Sequence, residues 1–260
     1  MAAISSSFDV SSFKDIWRSD LLTSQVVESK DLFHGNTLLN EVLILGGTAM
    51  AIVDLKTKLY TCIYGDVDKV FGWSQQHLLD GGVAFLLERI PPGDIQAIED
   101  MHGRIIQHIK DLSDAESKQY RAILDYRIIR PDGSLGRIIQ DTLCLKRDDQ
   151  GNILFLLALA SDISHLKRDG RQHLRLSNGK EDLIYEVDNE TGTVRQLEVL
   201  SSRELEIARL MGKKMTSEEI AGKLFLSPHT VNTHRHNMLK KLDMVDTLEL
   251  INFLSVYRFI

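Results

Sequence analysis

"LSSRELEIARLMGKKMTSEEIAGKLFLSPHTVNTHRHNMLKKLDM", Leu200 to Met244, holds three helix start signals in 45 residues. Ser201 and Glu204 have capping-box spacing ahead of "LEIARLM", and Thr216 and Glu219 repeat it ahead of "IAGKL". Ser227 stands as an N-cap with Pro228 at the first helical position, where a missing N–H costs nothing. Asp246 and Glu249 have the same spacing before "LINFL". Four starts so close together predict a compact all-α four-helix module over 200–260.

The third run can be projected at about 100° per residue. Val231, Met238 and Leu242 fall in a narrow arc, with Leu239, His234 and Arg235 at its edges. His229, Asn232, Thr233, His236 and Lys240 gather on the opposite side. His229 and His236 point the same way but lie two turns, roughly 10 Å, apart, and His234 points elsewhere, so the three histidines do not share one metal ion.

The second run, the turn "FLS" and the third run have helix-turn-helix proportions. Arg203, Glu204, "EIA" at Glu219 to Ala221, "LSPHTV" at Leu226 to Val231, His234, Asn237 and Leu242 give the segment a close resemblance to the LuxR-type (GerE-like) DNA-binding domain. That resemblance implies a third helix lying in the major groove of double-stranded DNA and a fourth helix that often makes a dimer contact. It places DNA contacts at His229, Thr230, Asn232, Thr233, His236 and Lys240. Thr230, in the first turn, is placed to hold a phosphate together with helix N-terminal N–H groups. Positions 232 and 236 depart from the family, which often has a basic residue there, whereas this chain has Asn and His. Asn232 could pair with an adenine edge in a bidentate way, and Thr233 could offer its methyl to a thymine. A charged His236 would add a phosphate-facing cation, so DNA affinity is expected to rise as pH falls.

Charge is divided along the chain. From Leu200 onward nine Lys or Arg stand against seven Asp or Glu, net +2, which leaves 22 against 30, net −8, for 1–199. Any polyanion is therefore expected at the C-terminal part. The longest charge-free runs, "VLILGGTAMAIV" and "GNILFLLALAS", fall short of the roughly 20 residues of a membrane helix. The start "MAAISSSFDVSSFKDIW" has no basic stretch followed by an apolar one, so a cytoplasmic protein without a membrane contact is expected. Cys62 and Cys144 lie in strand-like segments, in neither a disulfide framework nor a zinc spacing, and are expected as buried reduced thiols.

The front half has another pattern. "AMAIV" and "LYTCIY" flank the polar turn "DLKTK"; Ile95, Ile98, Met101, Ile105, Ile106 and Ile109 then recur at helical spacing. "QYRAILDYRIIR", "GRIIQDTLCLKR" and "NILFLLALAS" follow as strands separated by "PDGS" and "DDQGN". This order, with "FLLERIPPGD" before the helix and "DIS" at Asp162 to Ser164, resembles a PAS domain over 46–164. The resemblance implies an α+β fold, a five-stranded antiparallel sheet with helices on one face, that senses a signal or mediates dimerisation. Residues 1–45, with Phe13, Ile16 and Trp17 on one helical face, read as a helical extension. Residues 165–199 read as a polar linker followed by a hairpin turning at Asn189 to Gly192, which needs a neighbour to pack against.

For the PAS-like segment no cofactor is predicted. Neither cysteine stands in the helical motif of a flavin photosite; His102 and His108 lie on the helix from which haem would be bound; and the apolar helix face opposite Tyr60, Tyr126 and Phe155 could line a small-molecule cavity. No nucleophile elbow, phosphate loop or metal cluster is present, so no enzyme is expected. The reading is a homodimeric transcriptional regulator. Its alternatives are a phosphorylation- or autoinducer-dependent LuxR-type regulator with a divergent front, or a PAS interaction protein without DNA binding. Asp54 stands alone in a hairpin turn, and only Trp17 and Trp73 are available for a tryptophan-rich pocket.

Overall fold

The computed structural model describes residues 37–167 and 170–260. Phe13, Ile16 and Trp17 lie outside the described residues. The chain forms two compact units, one reaching to Asp182 and including Glu186–Val194, the other comprising Leu183–Tyr185 and Arg195–Ile260.

The first unit begins with α1 (Thr37–Leu45), β1 (Thr48–Asp54) and β2 (Leu59–Gly65). Then come the helices α2 (Val67–Phe71), α3 (Gln75–Leu87), α4 (Ile95–Ile109) and α5 (Asp114–Ser117), and the strands β3 (Arg121–Ile129), β4 (Leu135–Arg147) and β5 (Ile153–Asp162). Turns that carry an aspartate close the hairpins. The Oδ1 of Asp54 accepts from Lys56 N at 2.8 Å, that of Asp132 from Ser134 N at 2.9 Å, and that of Asp148 from Gln150 N at 2.9 Å. A short carboxylate mimics the backbone acceptor a tight turn needs, which is why "DLKTK", "PDGS" and "DDQGN" are legible as turns.

Five strands form an antiparallel sheet with helices, as the PAS resemblance implies; their order is β2-β1-β5-β4-β3, with the helices inserted between β2 and β3. The sheet does not stop there. β6 (Arg171–Ser177), β7 (Asp182–Asp188) and β8 (Val194–Leu197) extend it to eight strands, so the expectation of five is corrected. β6 pairs antiparallel with β3 through Arg121↔Ser177 and Leu124↔Leu174, and it occupies a stretch read above as polar linker. Its period-2 pattern explains both the pairing and the misreading: Leu174 and Leu176 are buried on one face, while His173 and Arg175 are buried on the other against Glu186 and Asp182 of the neighbouring β7. The hairpin β7–β8 turns on Asp188, whose Oδ1 accepts from Glu190 N at 2.8 Å.

One face of the sheet meets α3 and α4 in an apolar core that includes Val53, Leu87, Ile98, Met101, Leu124 and Leu156. The other face holds a buried polar cluster. Asp125, fully buried on β3, binds the Arg137 guanidinium, accepts from Lys167 Nζ at 3.1 Å and from His173 N at 2.7 Å. His173 Nε2 lies 3.2 Å from Glu186. A second buried carboxylate, Asp94, stands just ahead of α4; it accepts from Arg127 Nε at 2.7 Å and from Asn189 Nδ2, in the β7–β8 turn, at 2.7 Å. Gly82 breaks α3 with φ +59° and ψ −151°, and a Cβ there would meet Lys58 O at 2.4 Å. Gly82→Ala is expected to lower stability by about 1–3 kcal/mol, because that backbone region is open only to glycine; the shift of a urea unfolding midpoint measures it.

The second unit contains α6 (Ser202–Gly212), α7 (Ser217–Leu224), α8 (Pro228–Leu242) and α9 (Thr247–Val256). Ile207, Ala208, Ile220, Val231, Met238, Leu242, Leu250 and Leu254 form its core. Among the described residues no helix is long and apolar enough to cross a membrane, and no group of histidine, cysteine and carboxylate side chains could hold a metal ion.

Candidate nucleic-acid interface

The caps set the geometry of the second unit. Ser201 with Glu204 and Thr216 with Glu219 form complete capping boxes, so each helix begins where its first free N–H groups find an acceptor. Glu204 is buried, and its Oε2 also accepts from Lys241 Nζ at 2.8 Å, tying the end of α8 to the start of α6. Those hydrogen bonds and the Lys241 charge hold its carboxyl below the ordinary glutamate value, against the opposing effect of burial. The turn between α7 and α8 is closed by Phe225 in the left-handed region, φ 56°, and by Leu226 N bonding to Ala221 O at 2.9 Å. Ser227 accepts from Thr230 N at 3.0 Å and starts α8 on Pro228.

α8 buries Val231, Met238 and Leu242, with His234, Arg235 and Leu239 half-buried beside them. Its opposite face leaves His229, Asn232, Thr233, His236 and Lys240 exposed and Thr230 half-buried. The helix contains no carboxylate, and Lys240 sits in its last turn. Two of these polar groups are already engaged locally. Thr230 Oγ1 lies 2.8 Å from Ser227 Oγ, and Thr233 Oγ1 donates to His229 O at 3.0 Å, so the Thr233 hydroxyl proton is satisfied within the helix and its methyl is the apolar part left over.

Ser217 is the residue that sequence reasoning missed. Buried at the start of α7, its Oγ accepts from Arg235 Nη1 at 2.8 Å and donates to Asn232 Oδ1 at 2.7 Å. Arg235 Nη2 also donates to Thr247 Oγ1 at 3.2 Å, at the start of α9. Nothing in the local sequence around Ser217 marks it, since the contact spans 15 residues and depends on how α7 packs on α8.

The first unit contains a separate cavity of about 90 Å³, lined among others by Tyr60, Val83, Ile98, His102, Tyr126 and Gln140. Tyr60 and Tyr126 face it, whereas Phe155, grouped with them above, is buried elsewhere. Tyr126 OH donates to Gln140 Oε1 at 2.9 Å. Burial raises both phenols well above the ordinary tyrosine value and pushes His102 down to about 4, against the effect of its Nδ1 contact with Ile98 O at 2.8 Å. The cavity thus presents neutral polar groups on an apolar wall. His108, the other histidine of α4, packs edge-on against Tyr120 at 4.6 Å between ring centroids. Cys62 and Cys144 are buried free thiols, raised by burial.

Comparison with known proteins bears on the second unit. Residues 198–254 match the family model of bacterial regulatory proteins, luxR family. The virulence factors putative positive transcription regulator BvgA of Bordetella pertussis is 37% identical over 65 residues, 25% of this chain and 31% of that protein. The fimbriae Z protein of Escherichia coli is 40% identical over 62 residues, 24% of this chain and 30% of that protein. The chain spans about a third of the length of these curated relatives. A solved structure of the Vibrio cholerae VqmA dimer in the absence of target DNA aligns at 14% identity with a TM-score of 0.34, over 87% of this chain and 89% of that one. Residues 198–254, with their paired capping boxes and left-handed turn into α8, are therefore a luxR-family regulatory domain.

Proposed function

We propose that this chain is a cytoplasmic, homodimeric transcriptional regulator without catalytic activity, whose second unit inserts α8 into the major groove of double-stranded DNA. The observation that carries the reading is the exposed, carboxylate-free face of α8 within a luxR-family domain. Thr230, His236 and Lys240 would meet phosphates; His229, Asn232 and Thr233 would face base edges. Selection from random duplexes followed by sequencing tests the reading. A palindrome with half-sites about one helical turn apart supports both DNA binding and the dimer. Failure to enrich any sequence at low salt overturns it.

Lys240→Ala is expected to weaken binding to matched and scrambled DNA alike and to lower the salt slope by about 1 per protomer, about 2 for the dimer. Asn232→Ala is expected instead to lose about 1–3 kcal/mol of discrimination at one position of each half-site. Equal losses on matched and scrambled DNA for both variants would remove the distinction.

The first unit would supply the signal. Its cavity, with neutral polar groups on an apolar wall, favours an uncharged small molecule over a phosphorylation input. Native mass spectrometry of the purified chain reads a retained ligand as added mass, and an absorption spectrum separates haem from a colourless molecule.

A further inference from the structure

The two hydrogen bonds at Ser217 decide which end of the Asn232 amide is presented outward. A guanidinium can only donate, so the 2.8 Å contact with Arg235 makes Ser217 Oγ an acceptor. A hydroxyl has one hydrogen, and here it goes to Asn232 at 2.7 Å. The Asn232 atom that accepts it is Oδ1. The Nδ2 amino group is the end left for another partner. Arg235 is itself held, since its other nitrogen donates to Thr247 Oγ1 at 3.2 Å, and Ser217 is buried at the start of α7. The relay Thr247–Arg235–Ser217–Asn232 thus joins α9, α8 and α7 behind a single exposed amide.

We infer that Asn232 is a specificity-determining residue that reads DNA as a hydrogen-bond donor. This rests on the DNA reading above. Bidentate pairing with adenine needs the amide oxygen to accept from N6 while the nitrogen donates to N7, and here that oxygen is bonded to the buried Ser217 hydroxyl, which takes one of its two lone pairs and holds it towards α7. A donor alone matches guanine, which offers O6 and N7 side by side, and next thymine O4. It opposes the amino groups of cytosine and adenine. The adenine preference expected from the residue type is thereby replaced by a preference for guanine.

The test is selection with the full chain in four forms: wild type, Ser217→Ala, Arg235→Met and Asn232→Ala. The position read by Asn232 is the one whose preference vanishes in Asn232→Ala. Wild type should carry guanine there, with thymine second. Ser217→Ala frees the oxygen, and Arg235→Met removes the competing donor at Ser217 Oγ and so favours its acceptance from Nδ2, so adenine should rise relative to guanine by at least about fivefold in either variant. Two variants that act on different atoms guard against one that fails to fold. Adenine or cytosine preferred by wild type overturns the inference, as do unchanged base frequencies in both folded variants. If wild type enriches nothing at low salt, the DNA reading fails, and the amide orientation is judged without DNA. In the 15N-asparagine-labelled full chain, weak or absent cross-peaks from the Asn232 amide protons to the Ser217 β-protons uphold the orientation, and strong ones overturn it.

Discussion

Arg127→Met is expected to destabilise the first unit by about 3–5 kcal/mol, the usual cost of leaving a buried charge without its counter-charge. Asp94 is fully buried, and the Arg127 guanidinium supplies two hydrogen bonds to its carboxylate, the Nε one at 2.7 Å. Without it the carboxylate keeps the neutral Asn189 amide at 2.7 Å, which cannot balance the charge. Adding Asp94→Leu to Arg127→Met should recover part of the loss, because the uncompensated anion is then gone. Urea unfolding of the three proteins measures both steps. A single variant with a wild-type midpoint would show that water reaches Asp94.

The second large effect concerns acid. His102 and His173 are each held down to about 4, His102 by burial and His173 by burial reinforced by the nearby Lys167 ammonium, which outweighs Glu186 and Asp125. A histidine whose folded value lies below its unfolded value binds fewer protons in the folded state. Its contribution is present above about pH 6.5 and is lost as pH falls towards about 4. One pK unit is worth about 1.4 kcal/mol, so His102 alone accounts for roughly 3 kcal/mol once the solution is below the lower value. Unfolding free energies measured from pH 7 to 4 should fall, and His102→Gln should flatten the curve. A variant curve parallel to that of wild type would show that His102 protonates without strain.

Most of the second unit was legible because its signals are local. Ser201, Thr216 and Ser227 announce helices within three residues of the N–H groups they cap, and the 3.6-residue period separates buried Val231, Met238 and Leu242 from exposed Asn232, Thr233 and His236. The aspartate turns made the first five strands legible for the same reason. β6 was not, because in "RQHLRLS" the charged residues are buried rather than solvated, and what makes that possible lies elsewhere: Asp125 is 48 residues from His173, and Glu186 is 13 residues from it. Likewise Asn232 was read correctly as exposed but not as oriented, since its orientation comes from Ser217 and Arg235 on packed helices. Pattern reveals which side of an element a residue occupies; it does not reveal which atom of that residue remains available.

The eight-stranded sheet also constrains how the chain can be cut. A fragment ending at Ser164, where the PAS resemblance ends, would strip β6 from β3 and leave the backbone of Arg121 to Leu124 as an unpaired rim. It would remove Lys167 and His173 from Asp125 in the same stroke. An open apolar rim beside an under-neutralised carboxylate invites pairing with another copy, so such a fragment should precipitate where one carried through β8 stays in solution.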